Sequence, residues 1–225
     1  MKELIRKYNL LEQTGRYLFS YESVKEVVPS LYSVLSMEEQ EKYDSMKHRK
    51  GASCFLFRKG MLRVVLSEYT LQKPEDMIIL RNERNKPYLP EKKVAFNLSH
   101  SRDYLFIGIS ENGEIGVDVE SAQAFQRRRR SLLEDIYSKE ELALYDSLKE
   151  YENAEHHQEE FFRIAWVRKE AVVKALGTGI TVNLSDFTVM QSEIRQATVV
   201  YAFDKKIKLY SEWNQNYYLS TAQII

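Results

Sequence analysis

The chain has 225 residues, enough for one large domain or two small lobes around a sizeable core. Lysine plus arginine equals aspartate plus glutamate at 33 each, which argues against a nucleic-acid or membrane binder driven by bulk charge. The single cysteine, Cys54, allows no internal disulfide, no apolar run approaches the ~18–20 residues of a membrane span, and the first residues are charged where a signal peptide needs an apolar stretch. The expectation is a soluble cytoplasmic protein.

Ser36-Met37-Glu38-Glu39 forms a capping box and opens a helical stretch over 36–70. Phe55, Leu62, Val65, Leu66 and Tyr69 mark its buried face, and Gly51 is expected to divide it in two. The period then changes. Alternating residues predict strands at about 94–99, 104–110 and 114–120, and Asn112-Gly113 predicts a hairpin turn joining the last two. Ser138-Lys139-Glu140-Glu141 is a second capping box, opening a helix that runs to about 149. A stronger helix follows at about 158–176, with Phe162, Trp166, Lys169, Val173 and Leu176 in one stripe and Gly177 placed to stop it. The segments Asp186–Met190, Ala197–Phe203, Ile207–Trp213 and Tyr217–Ile225 then read as an antiparallel meander. Helices followed by strands, twice over, predict an α+β fold. Its lobes would be residues 1–115 and 116–225, each with an antiparallel sheet, with a ligand cleft between them.

Three clusters carry candidate chemistry. In Gly116-Val117-Asp118-Val119-Glu120, the two carboxylates share one face of a strand while the valines take the other. Such a pair suits Mg²⁺ bridging to a phosphate, or is a solvated acidic edge. In Trp166-Val167-Arg168-Lys169-Glu170-Ala171-Val172-Val173-Lys174, Glu170 and Lys174 are i,i+4 neighbours. They read as a surface ion pair or as an acid and an ammonium aimed into the cleft. Phe96-Asn97-Leu98-Ser99-His100-Ser101 ends a strand with donors able to meet a phosphate, or simply closes a turn.

In this order and spacing the clusters resemble the 4′-phosphopantetheinyl transferase family. Its Gly-x-Asp-x-Glu strand and Trp-x-x-Lys-Glu-Ala-x-x-Lys helix are both complete here, with Trp166 lying 46 positions after Glu120. Asn97–Ser101 and Asn85-Lys86-Pro87-Tyr88 are similar to further family elements, and the chain length resembles the Sfp-type subgroup. The resemblance implies a pseudodimer of two similar α+β lobes acting as a holo-carrier-protein synthase. It would move the phosphopantetheine arm of coenzyme A to a serine of an apo acyl, peptidyl or polyketide carrier and release 3′,5′-ADP. It implies that Asp118, Glu120 and Glu170 hold Mg²⁺, that Glu170 also serves as base, and that Lys174 assists departure of the ADP moiety. Lys169 would help hold the phosphates, His100 with Ser99 beside it would meet the 3′-phosphate, and Lys86 the nucleotide end. Lys42, Lys47, His48, Arg49, Lys50 and Arg58 compete to clasp the nucleotide, and Arg49 and Lys50 are chosen. Ser121 departs from the basic residue often found after the acidic pair, a minor contact. The resemblance further implies a monomer. Arg127–Arg130 reads as a docking patch for an acidic carrier or as a solvated face. The competing readings are a Mg²⁺-dependent CoA or nucleotide pyrophosphohydrolase and a non-catalytic CoA- or carrier-binding module.

Overall fold

The first half of the chain is built on a long helix. In this computed structural model, which describes residues 2–11, 15–91, 94–124 and 130–225, α1 (Lys2–Tyr8), β1 (Arg16–Ser20) and α2 (Tyr21–Val24) come first. A 3-10 segment at Val28–Val34 then leads to α3 (Met37–Asp44) and α4 (Arg49–Thr70). The Ser36 box forms in both directions, with Glu39 N–H donating to Ser36 Oγ and Ser36 N–H to the Glu39 carboxylate. The break between α3 and α4 precedes Gly51, which sits in the first turn of α4. Met46 N–H donates three residues back to Tyr43 O, the tightened turn that ends α3.

A short arm, β2 (Leu80–Arg81) with β3 (Pro87–Tyr88), leads to β4 (Ala95–Ser101) and β5 (Tyr104–Ser110). The first sheet has the antiparallel order β1-β5-β4. The second half contains β6 (Ile115–Ser121), α5 (Arg130–Ile136), α6 (Lys139–Ser147), α7 (Ala154–Leu176), β7 (Ala197–Ala202), β8 (Lys205–Trp213) and β9 (Tyr217–Ile224). Its sheet is antiparallel in the order β6-β9-β8-β7. Arg127, Arg128 and Arg129 of the basic run lie outside the described residues.

Two expectations change. Asn112-Gly113 does not close a hairpin, because β5 and β6 belong to different sheets. Only Gly113 in that turn has positive φ (86°), whereas the predicted turn type needs two such residues. Ile224 N–H donates to Glu114 O, so the end of β9 captures the chain as it leaves the turn. The expected strand at Asp186–Met190 is also absent. The Val189 and Met190 N–H groups donate instead to the Glu141 carboxylate, which removes two donors a strand would need.

Among the described residues, three apolar clusters hold the layers. Phe19, Leu56, Met61, Val65, Leu105 and Ile107 fill the space between α4 and the first sheet. Phe162, Ile164, Ala171, Val172, Ile207 and Leu209 do the same between α7 and the second. Leu18, Phe106, Ile115, Val117, Val119 and Leu219 join the two sheets. The architecture is thus α+β in two lobes with an antiparallel sheet in each. Among the described residues, no helix is long and apolar enough to cross a membrane.

Candidate active site

The site forms where the edge strand β4 of the first sheet meets the edge strand β6 of the second. Alternation along β6 sends Val117 and Val119 into the core between the sheets and Asp118 and Glu120 the other way. Gly116 lets α7 lie directly on the strand: a methyl there would sit 2.1 Å from Ala171 O and 2.2 Å from Ala175 N. That close approach carries Trp166, Glu170 and Lys174, at i, i+4 and i+8 on one face of α7, to the carboxylates. Gly177, with φ 65°, ends the helix as the sequence predicts.

These side chains border one cavity of about 320 Å³, together with Leu98, Ser99 and His100. Lys174 Nζ donates to Asp118 Oδ1 at 2.6 Å and to Ser99 Oγ at 3.1 Å. Ser99 Oγ donates to the same Asp118 oxygen at 2.7 Å. Ser101 Oγ donates to Glu120 Oε2 at 2.5 Å. Burial pushes the Asp118 carboxyl up against the opposing pull of Lys174 and Ser99. Glu170 is also pushed up, by burial and then by the nearby charges of Asp118 and Glu120, with Lys174 opposing. His100 is pushed down by partial burial and by the positive charges of Arg58 and Lys174.

The test for a divalent cation is whether these donors suit one. Asp118 Oδ2 is buried without a hydrogen-bond partner, and the donor set beside it is carboxylate oxygen, the chemistry hard cations prefer. Among the described residues, no three His, Cys, Asp or Glu side chains stand as a ready-made metal cage. The donor chemistry fits a divalent cation, although the side chains as they stand do not close around one.

Not every predicted residue reaches the cleft. Lys169 is fully buried on the other side of α7, paired with Glu141 at 2.6 Å and donating to the carbonyls of Leu184 and Phe187. It belongs to the lobe core, and the stripe that put it beside Trp166 is replaced by Trp166-Glu170-Lys174. The reason is helical phase: Lys169 lies about 100° around the helix from Glu170. Ser99 is at the cleft, but its hydroxyl is committed to Asp118 and Lys174. Lys86 Nζ donates to Glu114 at 2.6 Å and to the carbonyls of Ile115 and Ala175 at 3.4 Å. It therefore serves the carbonyl end of α7, where helix polarity attracts a cation. Arg84 adds a bond to Gly177 O at 3.3 Å. Lys86 also lines a second cavity, of about 490 Å³, which shares Trp166, Glu170 and Lys174 and adds the apolar Val173, Val182 and Leu184. Arg49 and Lys50 are exposed in the first turn of α4 and border neither cavity. Arg58, farther along the helix, is the α4 cation whose charge reaches His100. Its spacing from Phe55 and Leu62, at the border of the buried stripe, was the available signal.

An α+β chain in two lobes, with a lysine and three carboxylates lining the seam between its sheets, has the make-up of an enzyme that handles phosphate esters. Residues 114–222 match the family described as the 4′-phosphopantetheinyl transferase superfamily, and residues 21–112 match the one described as 4′-phosphopantetheinyl transferase, N-terminal. Among similar proteins, 4′-phosphopantetheinyl transferase psf-1 of Bacillus pumilus is 31% identical over 173 residues, 72% of this chain and 70% of that one. The corresponding ffp protein of Bacillus subtilis is 29% identical over 176 residues, 78% of this chain and 75% of that one. Sfp of Bacillus subtilis strain 168 is 28% identical over 169 residues, 74% and 71% of the two chains. The chain belongs to the 4′-phosphopantetheinyl transferase superfamily, as an enzyme of its Sfp type.

Proposed function

We propose that this enzyme transfers the 4′-phosphopantetheine arm of coenzyme A to a serine of an apo acyl, peptidyl or polyketide carrier protein, with Mg²⁺, and releases 3′,5′-ADP. The observation that carries this reading is the meeting of Asp118, Glu120, Glu170 and Lys174 around one polar cavity, with Asp118 Oδ2 left unpartnered.

The serine oxygen forms a new bond to the β-phosphorus of coenzyme A as the pyrophosphate oxygen bond breaks, and its proton passes to Glu170. A carboxylate raised by burial and by neighbouring acids is a stronger base than an exposed one, which suits Glu170 to that task. Lys174 neutralises charge on the departing 3′,5′-ADP, and its bonds to Asp118 and Ser99 hold it over the cavity beforehand. Asp118, Glu120 and Glu170 are the residues that would hold Mg²⁺. The ion supplies positive charge against the pyrophosphate. His100 lines the cavity and feels the charge of Arg58 on α4, a combination that suits the 3′-phosphate. Residues 1–115 thereby take the nucleotide end, and residues 116–225 the metal and the reacting groups. Both walls come from one chain, so a monomer suffices.

Mass spectrometry of a panel of apo-carriers incubated with coenzyme A and Mg²⁺ tests the reading. A gain of one phosphopantetheine arm on the carrier is expected, and it should vanish in Asp118→Ala while folding survives. Release of ADP in the absence of any carrier, with no mass gain in its presence, would point to hydrolysis instead.

A further inference from the structure

Two buried serines on β4 face the two acids of β6. Ser99 and Asp118 are 19 positions apart in the chain, and so are Ser101 and Glu120. The equal offset means that β4 and β6 run past each other in the same direction, although no backbone ladder joins them. Residues two apart on a strand share a face at a spacing of roughly 6.6 Å. Two hydroxyls on one strand therefore register with two carboxylates on the other. Asn97, next in the same row, accepts from Val117 N–H at 2.9 Å and fixes that register. All three β4 side chains are at most 8% exposed.

We propose that Ser101 is a positioning residue for Glu120, as Ser99 is for Asp118: the hydroxyl row of the N-terminal lobe aims the carboxylates of the C-terminal lobe at the divalent cation. The inference rests on the metal reading above. A carboxylate on a strand end has free rotation about its side-chain bonds, and a hydroxyl bond at 2.5 Å to one oxygen fixes the rotamer. The Glu120 carboxylate is thereby held where it borders the cavity. Ser101 is thus tied to the site through Glu120 and has no need to touch substrate. The requirement also explains why all the acidic donors come from one lobe while the site needs both.

The test is Mn²⁺ binding to the carrier-free protein, followed by electron paramagnetic resonance, in the wild type, Ser101→Ala and Ser101→Thr. Loss of an outer hydrogen bond to a metal ligand weakens affinity by roughly 10–100-fold. A loss of that order is expected in Ser101→Ala, with recovery in Ser101→Thr. The Mg²⁺ concentration for half-maximal transfer should rise in step, while the KM for coenzyme A stays put. A merely structural serine would lower the unfolding midpoint without moving Mn²⁺ affinity, and that outcome overturns the proposal. A wild type that binds no Mn²⁺ overturns it together with the metal assignment, and the carrier mass-gain assay then reports separately whether transfer survives.

Discussion

Adding one methyl group at Gly116 tests how the site is assembled. The methyl of Gly116→Ala would lie 2.1 Å from Ala171 O and 2.7 Å from the Lys174 carbonyl carbon, whereas ordinary contact starts at 3.4 Å. Both neighbours are backbone, so no side chain can swing aside. Relief requires α7 to move off β6 by about 1.3 Å, the shortfall from ordinary contact at the tighter of the two. Gly116 is outside the positive-φ region, so the variant adds no backbone strain and the effect is steric alone. Overpacking of this kind costs about 1–3 kcal/mol. The same shift lengthens the 2.6 Å bond between Lys174 and Asp118. Misplacement near 1 Å lowers turnover by roughly 100-fold. Holo-carrier formation followed by mass spectrometry, with urea unfolding alongside, measures both effects. Gly51→Ala is the control: its nearest neighbour would be 3.7 Å away, in helix, and it should stabilise by about 0.4–1 kcal/mol. A Gly116→Ala enzyme with wild-type turnover and wild-type stability would refute the claim that strand-to-helix contact sets the site.

Lys169→Met should leave Glu141 as a buried charge without its cation, at a cost of about 3–5 kcal/mol, with the KM for coenzyme A unchanged in the folded enzyme. A stable variant with a raised KM would restore the phosphate role. His100→Ala should raise the KM for coenzyme A more than it lowers kcat, whereas with dephospho-CoA, which lacks the 3′-phosphate, the variant and wild type should converge. An equal loss with both substrates argues against that contact. Glu39 is a stability probe: burial pushes its carboxyl up, but Arg63 at 2.5 Å and Lys59 at 3.0 Å outweigh burial and hold it below 4.5. Between that lowered value and 4.5 the unfolded chain binds a proton the folded chain does not, so this contribution is complete above 4.5 and is lost as pH falls through the folded value. Glu39→Gln should flatten the acid limb of unfolding free energy against pH, and an unchanged slope would rule out the pair as its source.

Features decided within a few residues were legible in the sequence. Both capping boxes form, since each needs only a serine and a glutamate three positions later. The stop at Gly177 and the two faces of β6 are equally local. What escaped depends on partners far along the chain. Glu141 reads locally as the acid of a capping box, yet its carboxylate also receives Lys169, Val189 and Met190. That one side chain explains both the burial of Lys169 and the missing strand. Asn112-Gly113 carries a hairpin signal, but β6 finds its ladder with β9, about a hundred residues downstream. Arg49 and Lys50 are the adjacent basic pair in the sequence, while the position that faces His100 is set by how α4 rolls on the first sheet.

Burying Asp118 is unfavourable unless its charge is answered, and the answer comes from two separate elements: Ser99 on β4 and Lys174 on α7. Neither is a sequence neighbour, and each reaches the carboxylate only when the sheets are docked and α7 lies against Gly116. Undocking the lobes would take Ser99 away from Asp118, which is 4% exposed in the docked fold, and would return its carboxylate to water. Burial still pushes the Asp118 carboxyl up despite both partners, so the docked site carries part of that penalty and the apolar cluster between the sheets has to offset it. Ser99 and Lys174 nonetheless tie β4 and α7 to one carboxylate, so Asp118→Asn, which removes the charge they answer, should loosen that junction even before coenzyme A is added. Hydrogen exchange at the buried amides of β4 and β6 reads this directly: faster exchange in the variant is expected, and identical protection would mean that the apolar cluster between the sheets suffices alone.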